Sequence, residues 1–417
     1  MMPLEKYSLG VGDRFGFEGQ AQLQALKIAR DRGVRITPVW NKSQREHAII
    51  GTSPEDTRRR ADEAVTVCGW QDPYYVDADH IGLATVDRFI AACDFFTIDV
   101  ADHIGRPAPA AVVSDFIEAS SRYLGPLHLP QSEAVLELTK ASLMNVAQKY
   151  LGAVEEAGRV YHRIARNKGG ENFVAEISLD EAAAPQTAGD LFFILAAVAR
   201  RNMPIQTIAP RFSGAFLKGI DYEGDIDRFA REFENALAVV EFAKLAFDLP
   251  ANLKLSIHSG SDKFSLYPIM HRALAKAGAG IHLKTAGTTW LEEVIGLAVS
   301  GGNGLQLAKD VYAGALSRIE ELVRPYLAVV GIDRARLPSA AEVNIWDALE
   351  FVAALQHDPS CPRFNPHFRQ LLHVGYRIAA DMGSRFTALL QRHRDIIESQ
   401  VTENLLRRHI EPLFLGG

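Results

Sequence analysis

Carboxylate and imidazole residues stand at the ends of four β-rich runs in this sequence of 417 residues: Asp79, Glu176, His258 and His282. Because side chains alternate in direction along a strand, the parity of each residue predicts that all four point to the same side of a sheet. Mixed carboxylate and imidazole ligation is typical of Zn, Mn, Co or Ni, whereas calcium prefers oxygen ligands alone. The pattern predicts a divalent metal centre, in which His80 could replace Asp79. The alternative for each residue is a hydrogen-bonded place in the core.

Basic and hydroxyl residues follow the same β-rich runs. A guanidinium group pairs well with a carboxylate, so these residues favour an anionic sugar over a neutral one. The residues expected to bind it are Asp13, Arg14, Arg211, Ser259, Asp262 and Lys263, with Lys284 beside them. For Asp262 and Lys263, solvation in a loop is the alternative that stays open.

Eight β-rich runs alternate with segments of helical spacing, and such alternation predicts a parallel sheet with helical crossovers. The predicted strands are Tyr7–Gly12, Val34–Trp40, Tyr74–Asp79, Phe95–Val100, Phe173–Ser178, Ile205–Ala209, Leu253–His258 and Gly280–Thr285. Eight units of this kind close into a (β/α)8 barrel, whose function gathers at the carboxyl ends of the strands. An open nucleotide-binding sheet is the main competitor, but Gly10 and Gly12 are followed by Phe15 where the third glycine should stand. We therefore expect no NAD.

Two segments exceed a minimal barrel. Residues from about 104 to 172 separate strands four and five and are expected to be mostly helical. Residues 301–417 are predicted to form a helical extension that packs on the barrel or contributes to a homo-oligomer. The predicted organisation is therefore a catalytic barrel domain over residues 1–300, with the excursion inside it, followed by the extension.

Composition excludes several classes of protein. The net charge of -6 and the lack of a clustered basic run argue against nucleic acid as a partner. The longest apolar stretch is far shorter than the roughly 20 residues of a membrane span, and the N-terminus lacks the apolar core of a secretory signal. Three separated cysteines predict neither disulfides nor a cysteine zinc site. We expect a cytoplasmic protein.

Five runs of this sequence resemble those of the tagaturonate epimerases. They are Gly12-Asp13-Arg14-Phe15-Gly16, Asp77-Ala78-Asp79-His80-Ile81-Gly82, Glu176-Ile177-Ser178-Leu179-Asp180-Glu181, His258-Ser259-Gly260-Ser261-Asp262-Lys263-Phe264 and His282-Leu283-Lys284-Thr285-Ala286-Gly287-Thr288. The resemblance spans nearly the whole chain, and the second and fifth runs are its more specific parts. It implies a barrel fold and a metal-dependent interconversion of D-tagaturonate and D-fructuronate.

The chemistry of that reaction indicates a mechanism. Counted from the carboxylate carbon, the two ketouronates differ at C3, which is not adjacent to the C5 ketone, so direct deprotonation of C3 is implausible. Retro-aldol cleavage between C3 and C4, rotation of the aldehyde and re-addition would invert C3. Transient oxidation by NAD is the other route.

Roles for the residues follow from this hypothesis. His258, His282 and Glu176 are expected to hold the metal, Asp79 to act as acid and base, and Lys284 to steady developing charge. Asp79 and Glu176 could exchange roles. Two other classes stay open: another metal-dependent sugar isomerase or class II-type aldolase, and a non-catalytic barrel subunit of a sugar aldolase.

Overall fold

Parallel strands close into a barrel in the computed structural model, which describes residues 3–129, 135–170, 172–285 and 287–416. Within these residues the barrel has eight strands, β1 to β8, which are in chain order Tyr7–Gly12, Thr37–Ser43, Tyr75–Ile81, Phe95–Asp99, Val174–Ser178, Thr207–Ala209, Lys254–His258 and Ile281–Lys284. Each pairs in parallel with the next, and β1 pairs with β8. The predicted (β/α)8 barrel is confirmed.

The barrel interior changes from apolar to polar along its axis. An apolar cluster fills the end near the start of the strands and consists of Leu4, Val39, Tyr75, Phe95 and Val174. Above it, the register aligns Gly10 of β1 with Lys284 of β8. A Cβ on Gly10 would lie 2.8 Å from Cγ of Lys284, so a glycine at this position leaves room for the lysine inside the barrel. The polar side chains therefore collect at the carboxyl ends of the strands.

Helices cover the outside of the barrel. Pro54–Cys68 begins with Pro54 in the first turn and a capping box between Ser53 and Asp56, which are strong start signals for a helix. The other helices that connect barrel strands are Gly19–Asp31, Gln44–Ile50, Leu151–Lys168, Ala188–Arg200, Ile226–Ala246 and Tyr267–Ala277, and 3-10 turns lie at Val86–Arg88 and Ala101–His103. Buried residues recur at helical spacing along Leu151–Lys168, for example at Leu151, Val154 and Tyr161.

The excursion between β4 and β5 is mostly helical, as predicted, but it also contains two strands. Helices Ala110–Ser120 and Lys140–Lys149 and the 3-10 turn Ser121–Tyr123 flank an antiparallel pair of strands, Gly125–His128 and Val135–Leu138. This pair was not predicted, because both strands are short.

The chain after β8 is helical, as predicted. Its helices are Thr288–Val299, Gly302–Ser317, Ile319–Val323, Ala340–Ile345, Ala348–Leu355, Pro366–Val374, Tyr376–Asp381, Ser384–Arg392 and Arg394–Glu403, with 3-10 turns at Arg324–Tyr326 and Arg334–Arg336. They form a second apolar core around Trp290 and Phe368. The π-helical segment Asn404–Leu415 returns to the barrel and packs on the helices after β1 and β7, and Phe414 meets Tyr7 edge to face. A division at residues 300 and 301 stays a prediction.

One strand prediction was wrong in position. β2 runs from Thr37 to Ser43 instead of from Val34 to Trp40. The N–H group of Val34 donates to Ala29 at the end of the preceding helix and so does not enter the sheet. Asn41 and Ser43 instead continue the strand, paired with Asp77 and Asp79 of β3. Within the described residues, no helix has the length and apolar composition to cross a membrane.

Candidate active site

A buried lysine joins three strands at the centre of the barrel. Nζ of Lys284 lies 2.7 Å from Asp77, 2.8 Å from Asp79 and 3.3 Å from Glu176. The ammonium also donates to the Thr97 hydroxyl, whose oxygen lies 3.0 Å from Asp77 and 3.2 Å from Glu176, so it can donate to either carboxylate. Four strands thus meet through one charged network.

Burial raises the pKa values of these carboxylates, whereas Lys284 lowers them. Burial raises the pKa of Asp77 to about 6, although Lys284 lowers it. Burial also opposes ionisation of Asp79, but Lys284 and His80 hold its pKa at about 2. The same opposition leaves the pKa of Glu176 well below its usual range, with Lys284 and His258 as the lowering charges. Burial disfavours the Lys284 ammonium, yet the carboxylates raise its pKa well above the ordinary value. Lys284 is therefore a fixed cation and no base.

His258 lies between two carboxylates at the end of β7. Its Nε2 atom is 2.7 Å from Oε1 of Glu176. Its Nδ1 atom has no hydrogen-bond partner among the described residues and lies 3.1 Å from Oδ2 of Asp180. Although burial disfavours the imidazolium, Asp180 and Glu176 raise the pKa of His258 to about 9.

His80 ends β3 in an unusual conformation. Its φ angle is 52°, and the register between β3 and β4 shifts between Ala78 and Ile81. Such irregularities re-aim side chains near active sites. Nδ1 of His80 is 3.0 Å from Asp99, and its ring lies 5.2 Å from the ring of His258. Burial opposes protonation of His80, but Asp79 and Asp99 raise its pKa well above the ordinary value.

His80, Asp180 and His258 could hold a metal ion. One ligand atom from each lies within 4.8 Å of the others. The hydrogen bonds to Asp99 and Glu176 leave Nε2 of His80 and Nδ1 of His258 as the free ligand atoms. Metal-binding histidines usually make such a bond to a carboxylate through the second nitrogen. The donor set therefore fits a divalent cation.

His282 lies deeper in the barrel than that group. Its Nδ1 atom is 2.9 Å from the Ser8 hydroxyl, and its ring lies 5.2 Å from the ring of Phe95 in the apolar layer. Burial lowers the pKa of His282 to about 3, so the ring is neutral. Its Nε2 atom and Oε2 of Glu176 are both buried and have no hydrogen-bond partner among the described residues. The group of His80, Asp180 and His258 contains neither His282 nor Glu176, and the assignment of these two residues as metal ligands stays a prediction.

The predicted substrate-binding residues of the β1 loop have partners within the protein. Nε of Arg14 lies 3.1 Å from Glu46, and Nη1 donates to the carbonyl group of His373 at 3.1 Å. The guanidinium also stacks on the ring of Tyr376 at 3.9 Å. Asp13 accepts hydrogen bonds from the backbone of the turn at residues 16–18.

The other predicted substrate-binding residues also have internal partners. Arg211 donates to the carbonyl group of Ala182, and the Ser259 hydroxyl donates to that of Lys284. The fully buried Asp262 accepts from Arg369 at 2.5 Å, lies 3.0 Å from Nδ1 of His357 and accepts from Thr288 at 3.3 Å. Lys263 donates to three backbone carbonyl groups, those of Leu217, Ile220 and Asp262.

Sequence reasoning missed three acidic residues of the site. Asp77 and Asp99 were not predicted as site residues. Their position inside a barrel, where a buried charge needs a partner, was the available signal. Asp180 lies two residues beyond β5, where strand parity no longer predicts direction.

A closed barrel with acids, imidazoles and a lysine at the carboxyl ends of its strands defines an enzyme of the (β/α)8 class. The sequence matches the family model of the tagaturonate epimerases over residues 1–413. The chain therefore belongs to the tagaturonate epimerase family. Ala286 of the fifth family-like run lies outside the described residues.

Relatives support the same assignment. The chain is 28% identical over 423 aligned residues to the tagaturonate/fructuronate epimerase of Thermotoga maritima, covering 97% of this chain and 80% of the relative. The native crystal structure of the fructuronate-tagaturonate epimerase of Cohnella laeviribosi superimposes with a TM-score of 0.80 at 26% identity, covering 98% of this chain and 81% of that one. A glycerol complex of the same enzyme gives a TM-score of 0.81 at 25% identity, over 98% and 82% of the two chains.

Proposed function

We propose that this enzyme interconverts D-tagaturonate and D-fructuronate. The observation that carries the proposal is the family match over residues 1–413. The charged interior of the barrel is consistent with it, because a ketouronate presents hydroxyl, carbonyl and carboxylate oxygens that need polar partners. The substrate is thus a small anionic sugar.

The proposed reaction is a retro-aldol cleavage followed by re-addition. The C3 hydroxyl group loses its proton, the C3–C4 bond breaks, and its electron pair forms an enediolate over C4 and C5 while C3 becomes an aldehyde. Rotation of the aldehyde presents its other face, and re-formation of the bond inverts C3. The proton then returns to the C3 oxygen, so atoms and electrons balance without a redox partner.

Asp79 is the proposed acid and base. It is 7% exposed, whereas Glu176 is fully buried, so Asp79 faces the mouth more directly. Its Oδ1 atom is held by Lys284 at 2.8 Å, which keeps the carboxylate ionised and oriented. Lys284 supplies a fixed positive charge beside the reacting oxygens. Glu176 orients His258 through the bond to Nε2.

His80, Asp180 and His258 are the residues that we propose as metal ligands. Two imidazoles and a carboxylate suit Zn, Mn, Co or Ni. When bound, such a cation would supply Lewis-acid stabilisation of the negative charge that develops on the substrate oxygens. Asp99 and Glu176 would keep the two imidazoles oriented.

Conversion of tagaturonate in deuterated water tests the reaction. We expect fructuronate without deuterium on carbon, because no C–H bond breaks. Deuterium at the carbon next to the ketone would point to an isomerase, and release of free three-carbon fragments as the main products to an aldolase. No change in either ketouronate would refute the proposed function.

Two matched variants test the assigned roles. Asp79→Asn should abolish turnover while metal content stays near that of the wild type. Asp180→Asn should lower metal content, measured by elemental analysis after dialysis, along with turnover. Loss of metal in Asp79→Asn, or unchanged metal in Asp180→Asn, would contradict the assignment.

A further inference from the structure

The backbone around Lys218 is held from several sides. The N–H group of Lys218 donates to the carbonyl group of Val329 at 2.8 Å. On the preceding residue, the carbonyl group of Leu217 accepts from Lys263 at 2.9 Å. On the following residue, Gly219, the N–H group donates to the Ser261 hydroxyl at 2.8 Å and the carbonyl group accepts from Arg369 at 2.6 Å. These hydrogen bonds fix the backbone of an irregular loop around Lys218.

The side chain of Lys218 is left without such partners. Among the described residues, its ammonium makes no hydrogen bond or ion pair, and it lies 5.5 Å from the centre of the Tyr326 ring. The residue is half-buried, so ordering its side chain costs conformational entropy that no internal charge pair offsets. A fixed backbone with an unpaired ammonium is the arrangement expected of a residue that binds a ligand.

The ammonium lies beside the loop that follows His258. It is 3.9 Å from the point that a Cβ on Gly260 would occupy. On the other side of this loop, the carbonyl group of Gly260 accepts from the N–H group of Gly287 at 3.2 Å, in the connection that follows β8. The Lys218 ammonium therefore stands at the carboxyl-terminal end of the barrel, beside Gly260, which follows the proposed metal ligand His258 by two residues.

His373 adds a second unsatisfied group at this place. It is 1% exposed, and neither of its ring nitrogens has a hydrogen-bond partner among the residues described. A Cβ on Gly287 would lie 1.8 Å from its Nε2 atom, so the ring packs directly against Gly287. Burial, with Arg14 and Lys218 as neighbouring charges, lowers the pKa of His373 well below the ordinary value. A neutral imidazole can donate one hydrogen bond to an anion.

We infer that Lys218 binds the carboxylate of the substrate, with His373 as a neutral hydrogen-bond partner, and thereby selects a ketouronate over a neutral ketohexose. This inference rests on the proposed function. The other basic residues at the mouth are less suitable, because Arg14 and Arg211 donate to protein oxygens and Lys263 is used to hold the loop. Lys218 is a binding and specificity residue, separate from the groups that break the C3–C4 bond.

The test compares two sugars on two variants. Lys218→Met removes the charge at similar length, and Lys276→Met removes an exposed lysine that pairs with Glu234 on the outside of the barrel. For tagaturonate, Lys218→Met should raise KM about 10- to 100-fold, the range expected for a lost hydrogen bond between charged groups, with little change in kcat. For neutral tagatose its KM should stay within about twofold of the wild type, and Lys276→Met should change neither sugar.

Further outcomes separate this inference from the proposed function. Lys218→Arg should recover part of the loss, because it restores the charge. Equal loss for both sugars, or an unchanged KM for tagaturonate, overturns the inference. A wild-type enzyme that converts neither ketouronate refutes the proposed function. In that case, calorimetric titration with tagaturonate still tests whether Lys218 binds the carboxylate. Weaker binding by Lys218→Met than by the wild type supports the inference, and equal binding overturns it.

Discussion

Replacing Lys284 by methionine tests whether the charged network stabilises the fold. The substitution keeps the length of the side chain and removes the cation that lies within 3.3 Å of Asp77, Asp79 and Glu176. Breaking a buried charge pair by removing one partner costs about 3–5 kcal/mol, because the remaining charge is left uncompensated. We expect the free energy of unfolding to fall by this amount at neutral pH.

The expected change in melting temperature follows from chain length. An unfolding entropy of about 2.1 cal/mol/K per residue gives about 0.9 kcal/mol/K for the whole chain. A loss of 3–5 kcal/mol therefore lowers Tm by about 3–6 °C. Differential scanning calorimetry of metal-stripped wild type and variant measures it. The double variant Asp77→Asn with Lys284→Met removes one of the carboxylates that are left without a cation, and it should recover part of the loss in Tm.

The pH dependence distinguishes this mechanism from a simple packing defect. In the wild type, Lys284 lowers the pKa values of Asp79 and Glu176, so their stabilising contribution is present above about pH 4 and is lost as the pH falls. In Lys284→Met, loss of the cation raises the pKa values of the carboxylates, most clearly that of Asp77, which burial already raises to about 6 with the cation present. The variant should then lose stability as the pH rises through the raised values, so its deficit is larger at pH 8 than at pH 5. An equal deficit at both values, or one below about 1 kcal/mol, would refute the reasoning.

Three further predictions concern buried contacts outside this network. Asp262→Asn leaves the fully buried Arg369 without its carboxylate and should cost about 3–5 kcal/mol in urea denaturation; an unchanged midpoint would contradict this. Gly287→Ala forces a methyl group against His373 and the Gly260 carbonyl oxygen and should cost about 1–3 kcal/mol, and adding His373→Ala should recover part of this loss in the same assay. Cys93 is 1% exposed and burial raises the pKa of its thiol, so mass spectrometry after treatment with a thiol reagent should find it modified only once the protein unfolds.

The positions of the strands were predictable because polar residues end apolar runs. β3 and β7 lie within one residue of their predicted starts, since Tyr75 and Lys254 begin segments whose alternate residues pack outward. β2 was displaced because its last residues are polar throughout. Asn41 and Ser43 resemble a loop in sequence, yet they continue the strand in register with Asp77 and Asp79.

The composition of the site was less predictable than its location. Parity gives the side of the sheet to which a residue points, but the depth of the residue depends on the stagger of the strands in the closed barrel. His282 precedes Lys284 by two residues on β8, so it shares the inward face and lies one layer deeper, next to Phe95. Asp180 lies beyond the strand, where its direction depends on the loop.

Basic residues at the mouth show a second limit of sequence reasoning. An arginine or lysine that follows a strand is equally suited to bind a ligand or to neutralise a buried oxygen of the protein, and the two uses have the same sequence signature. Lys263 and Arg369 neutralise buried oxygens of the protein, since both donate to backbone carbonyl groups of the loop that carries Lys218. Because Arg369 and His373 come from the helical extension, a barrel without that extension would lose both the support of this loop and one wall of the proposed carboxylate site. If Lys218 and His373 bind the carboxylate as proposed, substitutions in the extension should weaken the affinity for the ketouronate, measured by calorimetric titration, before they alter the chemistry at C3.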